Sequence, residues 1–342
     1  MTIFFRVDCG GQYGLGHAVR CRTLAQAIHA QAPDVPLVFV TTTHTLRLIV
    51  KEIDGKQWRL VVCRDEWQAL EAVREEAQRD DVLIFDEPFD VQWVNSTWRA
   101  KLRRALHVVR IDAPHAEQNT CDLLILPGMH HSAETIERLD AAFGERLLIG
   151  AEYVMLRDGV ADERPWWPEH CGGIVFATGG SDPGQVMPRL YVMVQELRHR
   201  LPLVQRIFAL GQTAEAWSLS PPVRAEWITG FHPSYVLRAE LFVTLWGATV
   251  YESLALGTPV LTIARTEAEA EDAARLDAAT DGAVQSLGTL TGLMRETLCD
   301  RLVALWQDAK ERKRMHYASA GLLDGKGAAR VARAVLALTG TI

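Results

Sequence analysis

The chain has 342 residues, of which 48% are hydrophobic and 23% charged, and its formal net charge is −7. This length allows two domains, no apolar run approaches the ~18 residues of a membrane span, and the acidic balance argues against a general nucleic-acid binder. The chain enters a strand-like run at once with charges inside it, so no signal peptide is predicted. We therefore expect a cytoplasmic protein with no stable membrane insertion and no nucleic-acid partner.

A glycine-rich turn follows the first predicted strand, residues 2–7, and leads into a helix. The sequence from position 10 reads GGQYGLGHAVRCRTLA, and Cys21, Leu24, Ala25 and Ile28 then recur at helical spacing. This order places His17 at a helix N-terminus, where backbone N–H groups and the dipole attract anions. A titratable imidazole beside an anion site favours chemistry on a phosphorylated substrate. A capping histidine in a tight turn fits the spacing equally well, and neither GxGxxG nor a P-loop is present.

Strand-like and helix-like segments then alternate through the first half. Further strands are predicted at 37–41, 60–63, 82–86, 108–111 and 123–126, with an amphipathic helix over 67–78. Short apolar strands separated by helices are typical of a parallel sheet covered on both faces. Residues 158–172, with their prolines and paired tryptophans, break this rhythm and are predicted to form a linker.

The second half repeats the pattern. Strands are predicted at 174–178, 206–210, 226–228, 241–245 and 260–263, with helices over 186–197 and 328–338. We therefore expect two α/β domains, 1–157 and 173–342, joined by the linker, with the last helix free to pack back towards the first domain. Two such domains form a cleft at the carboxyl ends of their strands, where these sheets bind ligands.

Two further glycine loops come directly off predicted strands of the second domain. Backbone without Cβ atoms lets a phosphate approach closely, and the second loop also opens a helix. Glu252, one turn into that helix, could accept hydrogen bonds from ribose hydroxyls; alternatively, Thr249 and Glu252 form a capping box. The candidate phosphate-binding residues are Gly179, Gly180, Ser181, Gly247, Ala248 and Thr249.

No metal or cofactor is predicted. The six cysteines contain no CxxC pair and are expected to be reduced thiols. The histidines lack zinc-site spacing, and the adjacent His130 and His131 are expected to diverge.

Together these blocks resemble the UDP-sugar hydrolases of the pseudaminic acid pathway and their spore-coat glycosyltransferase-like relatives. The resemblance covers most of the chain and rests on ordered blocks. These are Arg6-Val7-Asp8, Gly14-Leu15-Gly16-His17 with Arg20 and Leu24-Ala25, Gly150 to Arg157, Gly179 to Pro183, and Gly247 to Glu252.

The resemblance implies a GT-B fold, in which two Rossmann-like α/β domains face each other across a cleft. It also implies that water attacks the anomeric carbon of a UDP-activated amino or deoxy sugar with inversion, His17 acting as the base. Gly14, Gly16, Arg20 and Tyr153 are then expected to contact the substrate. Asp8 would orient Arg20 or the glycine loop, or form a buried ion pair. A monomer is favoured.

Two segments depart from the family pattern. Residues 264–269 lack the Asn-Gln pair that usually faces the sugar, and Asp86-Glu87-Pro88-Phe89 replaces an Asp-His-Tyr-like segment. Because a site that loses sugar-specific hydrogen bonds should change its substrate, we expect a different sugar. An inverting glycosyltransferase and a non-catalytic nucleotide-sugar binding protein remain the alternatives to a hydrolase.

Overall fold

The computed structural model describes residues 1–10, 14–43, 58–86, 106–160, 162, 173–180, 182, 185–210, 225–229 and 233–340. Within these ranges the chain forms two parallel β-sheets with helices packed against them. This is the α/β architecture predicted from the alternation of strand-like and helix-like segments.

The first sheet contains seven strands, all parallel, in the order β3-β2-β1-β4-β5-β6-β7. Its strands are β1 (Ile3–Val7), β2 (Leu37–Thr41), β3 (Trp58–Val62), β4 (Asp81–Asp86), β5 (Leu106–Ile111), β6 (Leu123–Pro127) and β7 (Leu147–Gly150). Its described helices are α1 (Gly16–Gln31), α2 (Glu66–Glu76) and α3 (Ala133–Phe143).

The second sheet contains six parallel strands in the order β10-β9-β8-β11-β12-β13. Its strands are β8 (Ile174–Ala177), β9 (Arg206–Leu210), β10 (Ala225–Thr229), β11 (Leu241–Leu245), β12 (Val260–Ala264) and β13 (Val284–Thr289). The helices of this half are α4 (Val186–Met193), α5 (Leu197–Arg200), α6 (Pro233–Arg238), α7 (Ala248–Leu256), α8 (Glu267–Ala279), α9 (Arg295–Gln307), α10 (Ala309–Ala318) and α11 (Gly327–Ala337).

The central strands are buried along their whole length. Every residue of β1, β2, β4, β6, β8, β11 and β12 is buried, as expected for parallel strands covered on both faces. Their largely apolar sequences made these strands predictable. The sequence patterns did not predict β7, which is short and half-buried, or β13, which carries Gln285 and Ser286 between apolar residues; both lie at sheet edges.

Each sheet reverses its strand order at one point. In the first sheet this point lies between β1 and β4, and in the second it lies between β8 and β11. The crevice at the carboxyl ends of such a strand pair is where open α/β sheets bind ligands. The turn before His17 leaves β1, whereas the loops at Gly179 and Gly247 leave β8 and β11, so all three predicted loops lie at these switch points.

The last helix returns to the first sheet. The apolar face of α11, which includes Val331, Val335 and Leu336, joins the core formed by α1 and strands of the first sheet. At its start, a Cβ on Gly327 would lie 2.1 Å from the Val154 carbonyl oxygen, so the helix approaches the chain too closely for a side chain there. The C-terminal segment therefore ties the two halves together. Over the residues described, no helix has the length and apolarity required to cross a membrane.

Candidate active site

A cavity of about 170 Å³ lies between the two sheets. From the first half it is lined by the glycine turn, the first turn of α1 and Asp112, which follows β5. From the second half it is lined by the ends of β8, β11 and β12. The predicted site residues on its wall are Gly14, Gly16, His17, Arg20, Gly179, Gly180, Gly247, Ala248 and Thr249. The fold thus brings together residues 235 positions apart, between Gly14 and Thr249, on one surface.

His17 is held by a buried carboxylate. Its Nδ1 lies 2.8 Å from Oδ1 of Asp86, which ends β4 and is fully buried, whereas the His17 side chain is 19% exposed on the cavity wall. The Nη2 of Arg20 is 3.3 Å from the same nitrogen, but it donates to Asp86 Oδ1 at 2.6 Å. The shorter contact therefore assigns Nδ1 as a hydrogen-bond donor to Asp86. In this tautomer Nε2 carries a lone pair that can accept a proton.

Arg20 bridges two aspartates. Its Nε and Nη2 donate to the two oxygens of Asp86 at 2.7 and 2.6 Å, and its Nη1 donates to Asp112 Oδ2 at 3.0 Å. The Cys21 thiol adds a longer contact of 3.6 Å to Asp86. Arg20 was predicted to contact the substrate; it lines the cavity, but these bonds direct its guanidinium to the protein's own carboxylates.

The charges in this network stabilise one another. Burial alone would raise the pKa of Asp86, but the adjacent Arg20 guanidinium and His17 hold that pKa well below its ordinary value. Burial would lower the pKa of Arg20, yet Asp86 and Asp112 raise it above its usual range. Both groups are therefore ionised near neutral pH, and Asp86 presents a fixed negative charge behind the imidazole.

The second half contributes backbone N–H groups to the opposite wall. Gly247 is the N-cap of α7 with φ of +147°, a conformation that favours glycine, and this N-cap residue has no side chain with which to cap the helix. The first N–H groups of α7 are thus open to an anion. The capping box between Thr249 and Glu252 is not formed, because Gly247 occupies the N-cap position.

Gly180 meets the first half directly. A Cβ on Gly180 would lie 2.4 Å from Leu15 Cδ1, so the glycine loop after β8 packs against the glycine turn before α1. Here the absence of a side chain serves the approach of the two halves, in addition to the predicted approach of a phosphate. Gly179, with φ of +84°, makes the preceding turn.

Two predicted residues lie away from the cavity wall. Glu252 is buried, and its two carboxylate oxygens accept hydrogen bonds from Nε and Nη2 of Arg157, each at 2.6 Å. Tyr153 is half-buried against the core shared by α1 and α11. Neither residue lines the cavity.

Asp8 forms the structural ion pair that was one of its expected roles. Its carboxylate accepts from Arg6 Nη2 at 2.8 Å and from three groups at the end of β2, contributed by Thr41 and Thr42. Arg20, the other expected partner, is instead bonded to Asp86 and Asp112. Asp8 therefore fastens β1 to β2 behind the site.

Next to the cavity, a histidine pair joins the two halves. Tyr251 Oη of α7 lies 2.6 Å from His130 Nδ1 and accepts from the Met129 N–H at 3.1 Å, while Arg275 donates to the His130 carbonyl at 2.8 Å. The rings of His130 and His131 are 4.1 Å apart, so the expectation that they diverge is wrong; the second half packs around this loop and holds them together. Burial lowers the pKa of His130 and lowers that of His131 to about 4. Among the described residues no group of histidine, cysteine and acidic side chains could hold a metal ion.

Residues 264–269 run from the end of β12 into the first turn of α8. Thr266 caps this helix by accepting from the Glu269 N–H at 3.2 Å, and Glu269 accepts from the Arg265 N–H at 2.7 Å. Arg265, whose guanidinium pairs with Glu269, lines the cavity in the segment where the resemblance predicted an Asn-Gln pair. Ser181, Glu87-Pro88-Phe89 and most of the predicted linker lie outside the described residues.

Comparison with known proteins supports this architecture. No protein-family model matches the chain. It is 21% identical over 348 residues to the spore coat polysaccharide biosynthesis protein SpsG of Bacillus subtilis strain 168, across 97% of this chain and 96% of that protein. Solved structures with similar folds include the S. aureus MnaA–UDP complex, with a TM-score of 0.66, 14% identity and coverage of 100% of this chain and 98% of that chain. The glycotransferase of kitacinnamycin has a TM-score of 0.64, 13% identity and 98% coverage of both chains.

A UDP-glucose:anthocyanidin 3-O-glucosyltransferase solved with UDP is similar as well, with a TM-score of 0.65, 11% identity and coverage of 100% and 99% of the two chains. The chain therefore has the two-domain α/β GT-B fold. The GT-B fold expected from the ordered sequence blocks is thereby confirmed.

Two residues of this GT-B site were missed by the sequence analysis. Asp86 was noted only as part of an altered segment, and Asp112 was not considered. Both are acidic residues at or just beyond the carboxyl ends of β4 and β5, two neighbouring strands of the first sheet. Acidic residues at that edge of the sheet, near the helix that follows β1, could have been predicted from the sequence as site residues.

Proposed function

We propose that this GT-B protein cleaves the bond between the sugar and the diphosphate of a UDP-sugar, with His17 as the base that activates water. The observation that carries the proposal is the hydrogen bond of 2.8 Å between His17 Nδ1 and the buried Asp86, made by a ring that faces two glycine loops across the cavity. An imidazole oriented by a carboxylate is a common arrangement for a general base.

In the proposed step, His17 Nε2 takes a proton from water as the water oxygen bonds to the anomeric carbon. The bond between that carbon and the diphosphate oxygen breaks, and its electron pair leaves with UDP. Asp86 stabilises the imidazolium that forms and keeps the proton on Nδ1 throughout. Attack from the side opposite the departing diphosphate inverts the configuration.

The departing charge needs stabilisation, and the second half offers it. We place the diphosphate at the open N-terminus of α7, next to Gly179 and Gly180, where backbone N–H groups can hold oxygens that gain charge. Arg265 on the same wall supplies a cation. UDP is supported as the nucleotide because two of the similar folds were solved with UDP bound.

Glu252 can contact the ribose in this arrangement provided that its carboxylate keeps acceptor positions free while it is paired with Arg157. Arg157 uses one acceptor position on each carboxylate oxygen, and a carboxylate offers about four. The remaining positions would accept the ribose hydroxyls, so Arg157 would orient Glu252 rather than compete with the nucleotide.

Transfer to an acceptor hydroxyl is the second candidate, and the similarity to glycosyltransferases favours it. The chemistry at His17 is the same, with the acceptor hydroxyl in place of water. UDP release from a panel of UDP-sugars, measured with and without sugar and lipid-linked acceptors, separates the two. Release without an acceptor supports hydrolysis, release only with an acceptor supports transfer, and no release from any UDP-sugar contradicts both.

A further inference from the structure

Asp112 lies on the cavity wall, and one of its carboxylate oxygens has no hydrogen-bond partner among the residues that the structure describes. Oδ2 accepts the 3.0 Å hydrogen bond from Arg20 Nη1. No donor among the described residues reaches Oδ1, although the side chain is only 34% exposed. By contrast, the fully buried Asp86 has donors at both of its oxygens.

The backbone holds this carboxylate in place. Asp112 has φ of +59°, and its N–H donates to the Ile125 carbonyl at 2.8 Å. This left-handed conformation is unfavourable for residues other than glycine, and aspartate and asparagine tolerate it best. The turn after β5 thus directs the residue to the cavity, where it lies on the wall formed by His17 and Arg20.

The chemistry of Oδ1 restricts what can bind there. An ionised carboxylate only accepts hydrogen bonds, so its partner must be a donor. The two donors on the same wall are engaged, since His17 Nδ1 and the guanidinium of Arg20 point at Asp86 and at Oδ2. A ligand in the cavity can therefore supply the donor that Oδ1 accepts.

We propose that Asp112 determines sugar specificity: Oδ1 accepts a hydrogen bond from a hydroxyl or amide N–H of the sugar, close to the carbon that His17 directs the nucleophile to attack. This inference rests on the proposed function and adds the group that recognises the sugar. A site built around such a bond discriminates strongly against sugars that lack the donor, because the carboxylate is then left unpaired.

Comparing Asp112→Asn with Asp112→Ala distinguishes a role of Asp112 in sugar recognition from a structural role. The asparagine oxygen can still accept from Arg20, and asparagine tolerates the left-handed backbone, but its amide then presents a donor to the sugar's donor. Alanine creates no such clash, but it strains the backbone and releases Arg20. Recognition therefore predicts that Asn is at least as damaging as Ala to sugar binding, whereas a structural role predicts that Ala is worse.

The experiment measures the dissociation constants of UDP, UDP-glucose, UDP-galactose and UDP-N-acetylglucosamine by calorimetry. We expect Asp112→Asn to change the affinity of at least one UDP-sugar relative to UDP by about 10-fold, in line with the loss of a charged hydrogen bond, while UDP itself changes less than 2-fold. Asp80, another left-handed aspartate that is exposed outside the cavity, gives matched control variants that should change neither.

If the wild-type chain binds UDP and neither Asp112 variant alters the ratio for any sugar, the inference is overturned while the proposed function stands. An equal loss of UDP and UDP-sugar affinity, larger for Ala, also overturns it in favour of a structural role. If the wild-type chain binds none of the four ligands, the proposed function fails and the inference fails with it.

Discussion

The position of His17 follows from the local sequence, whereas the orientation of its ring depends on Asp86, 69 positions away. The glycine turn and the helical spacing after it put the imidazole at the start of α1, whereas its tautomer depends on Asp86 at the end of β4. The contact forms because β4 pairs with β1 in the sheet. The tautomer of His17 is therefore a consequence of the strand order in the sheet.

Replacing Asp86 with Asn should therefore impair catalysis more than binding. The amide cannot stabilise an imidazolium on His17 as a carboxylate does, and it leaves Arg20 with one charged partner fewer. We expect UDP release to fall by about 10²–10⁴-fold with the dissociation constant of UDP changed less than 3-fold. Steady-state rates and calorimetry on the same preparation measure both.

Asp86→Ala is the companion variant for stability. It leaves a buried guanidinium without its main partner, which should reduce the free energy of unfolding by about 3–5 kcal/mol. Urea titration measures this, and a loss below 1 kcal/mol would contradict the network described around Arg20.

The candidate site could be predicted in part from these residues. Glycine turns and helix starts are local signals, so His17, Gly179 and Gly247 were predictable. Asp86, Asp112 and the pairing of Glu252 with Arg157 depend on contacts between distant segments. No local pattern encodes such contacts, and an acidic residue at a strand end is the only trace they leave.

Among the secondary-structure elements, the fully buried strands were predictable, whereas two of the four edge strands, β7 and β13, were not. The largely apolar runs of β1, β4 and β11 indicate a parallel sheet by composition. The edge strands β7 and β13 are covered less and therefore tolerate glycine and polar residues. The physical signal that makes a strand recognisable is its burial, and that signal weakens at the edge.

The contacts of Asp8 between β1 and β2 should make the free energy of unfolding depend on pH in the acidic range. Burial would raise the pKa of Asp8, but Arg6 and the Thr42 donors outweigh it and lower that pKa from 3.8 to about 2. A lowered folded-state pKa stabilises the fold above pH ~4 and loses this contribution as the pH falls towards 2. The shift corresponds to about 2 kcal/mol.

Unfolding of the wild-type chain and Asp8→Asn by urea, between pH 7 and pH 2, tests this. The difference in free energy of unfolding should be largest near neutral pH and should shrink by about 2 kcal/mol below pH 4. A difference that stays constant across this range would show that the charge of Asp8 does not contribute.

At the scale of the whole molecule, the two halves are joined at several points around the cavity. Leu15 packs on Gly180, α11 returns to α1, and Tyr251 is bonded to the loop that carries His130. These contacts hold the base of the first half opposite the helix N-terminus of the second. The site therefore exists only when both halves are docked.

Tyr251→Phe removes the hydroxyl that bonds α7 to the loop carrying His130. The Met129 N–H and His130 lose a buried partner, so we expect the free energy of unfolding to fall by about 1–3 kcal/mol. Denaturant unfolding checks this against Tyr317→Phe, whose ring is exposed on α10 and whose change should be below 0.5 kcal/mol. Equal effects of the two substitutions would mean that the hydroxyl of Tyr251 does not hold the halves together.

The proposed role of His17 as the base in UDP release is tested by the rate of UDP release by His17→Ala. The dissociation constant of UDP is measured alongside, and His29→Ala, on the same helix but away from the cavity, is the control. We predict that His17→Ala lowers the rate by at least about 100-fold, that UDP binding changes less than 3-fold, and that His29→Ala retains the wild-type rate. Undiminished UDP release by His17→Ala would show that His17 is not the base.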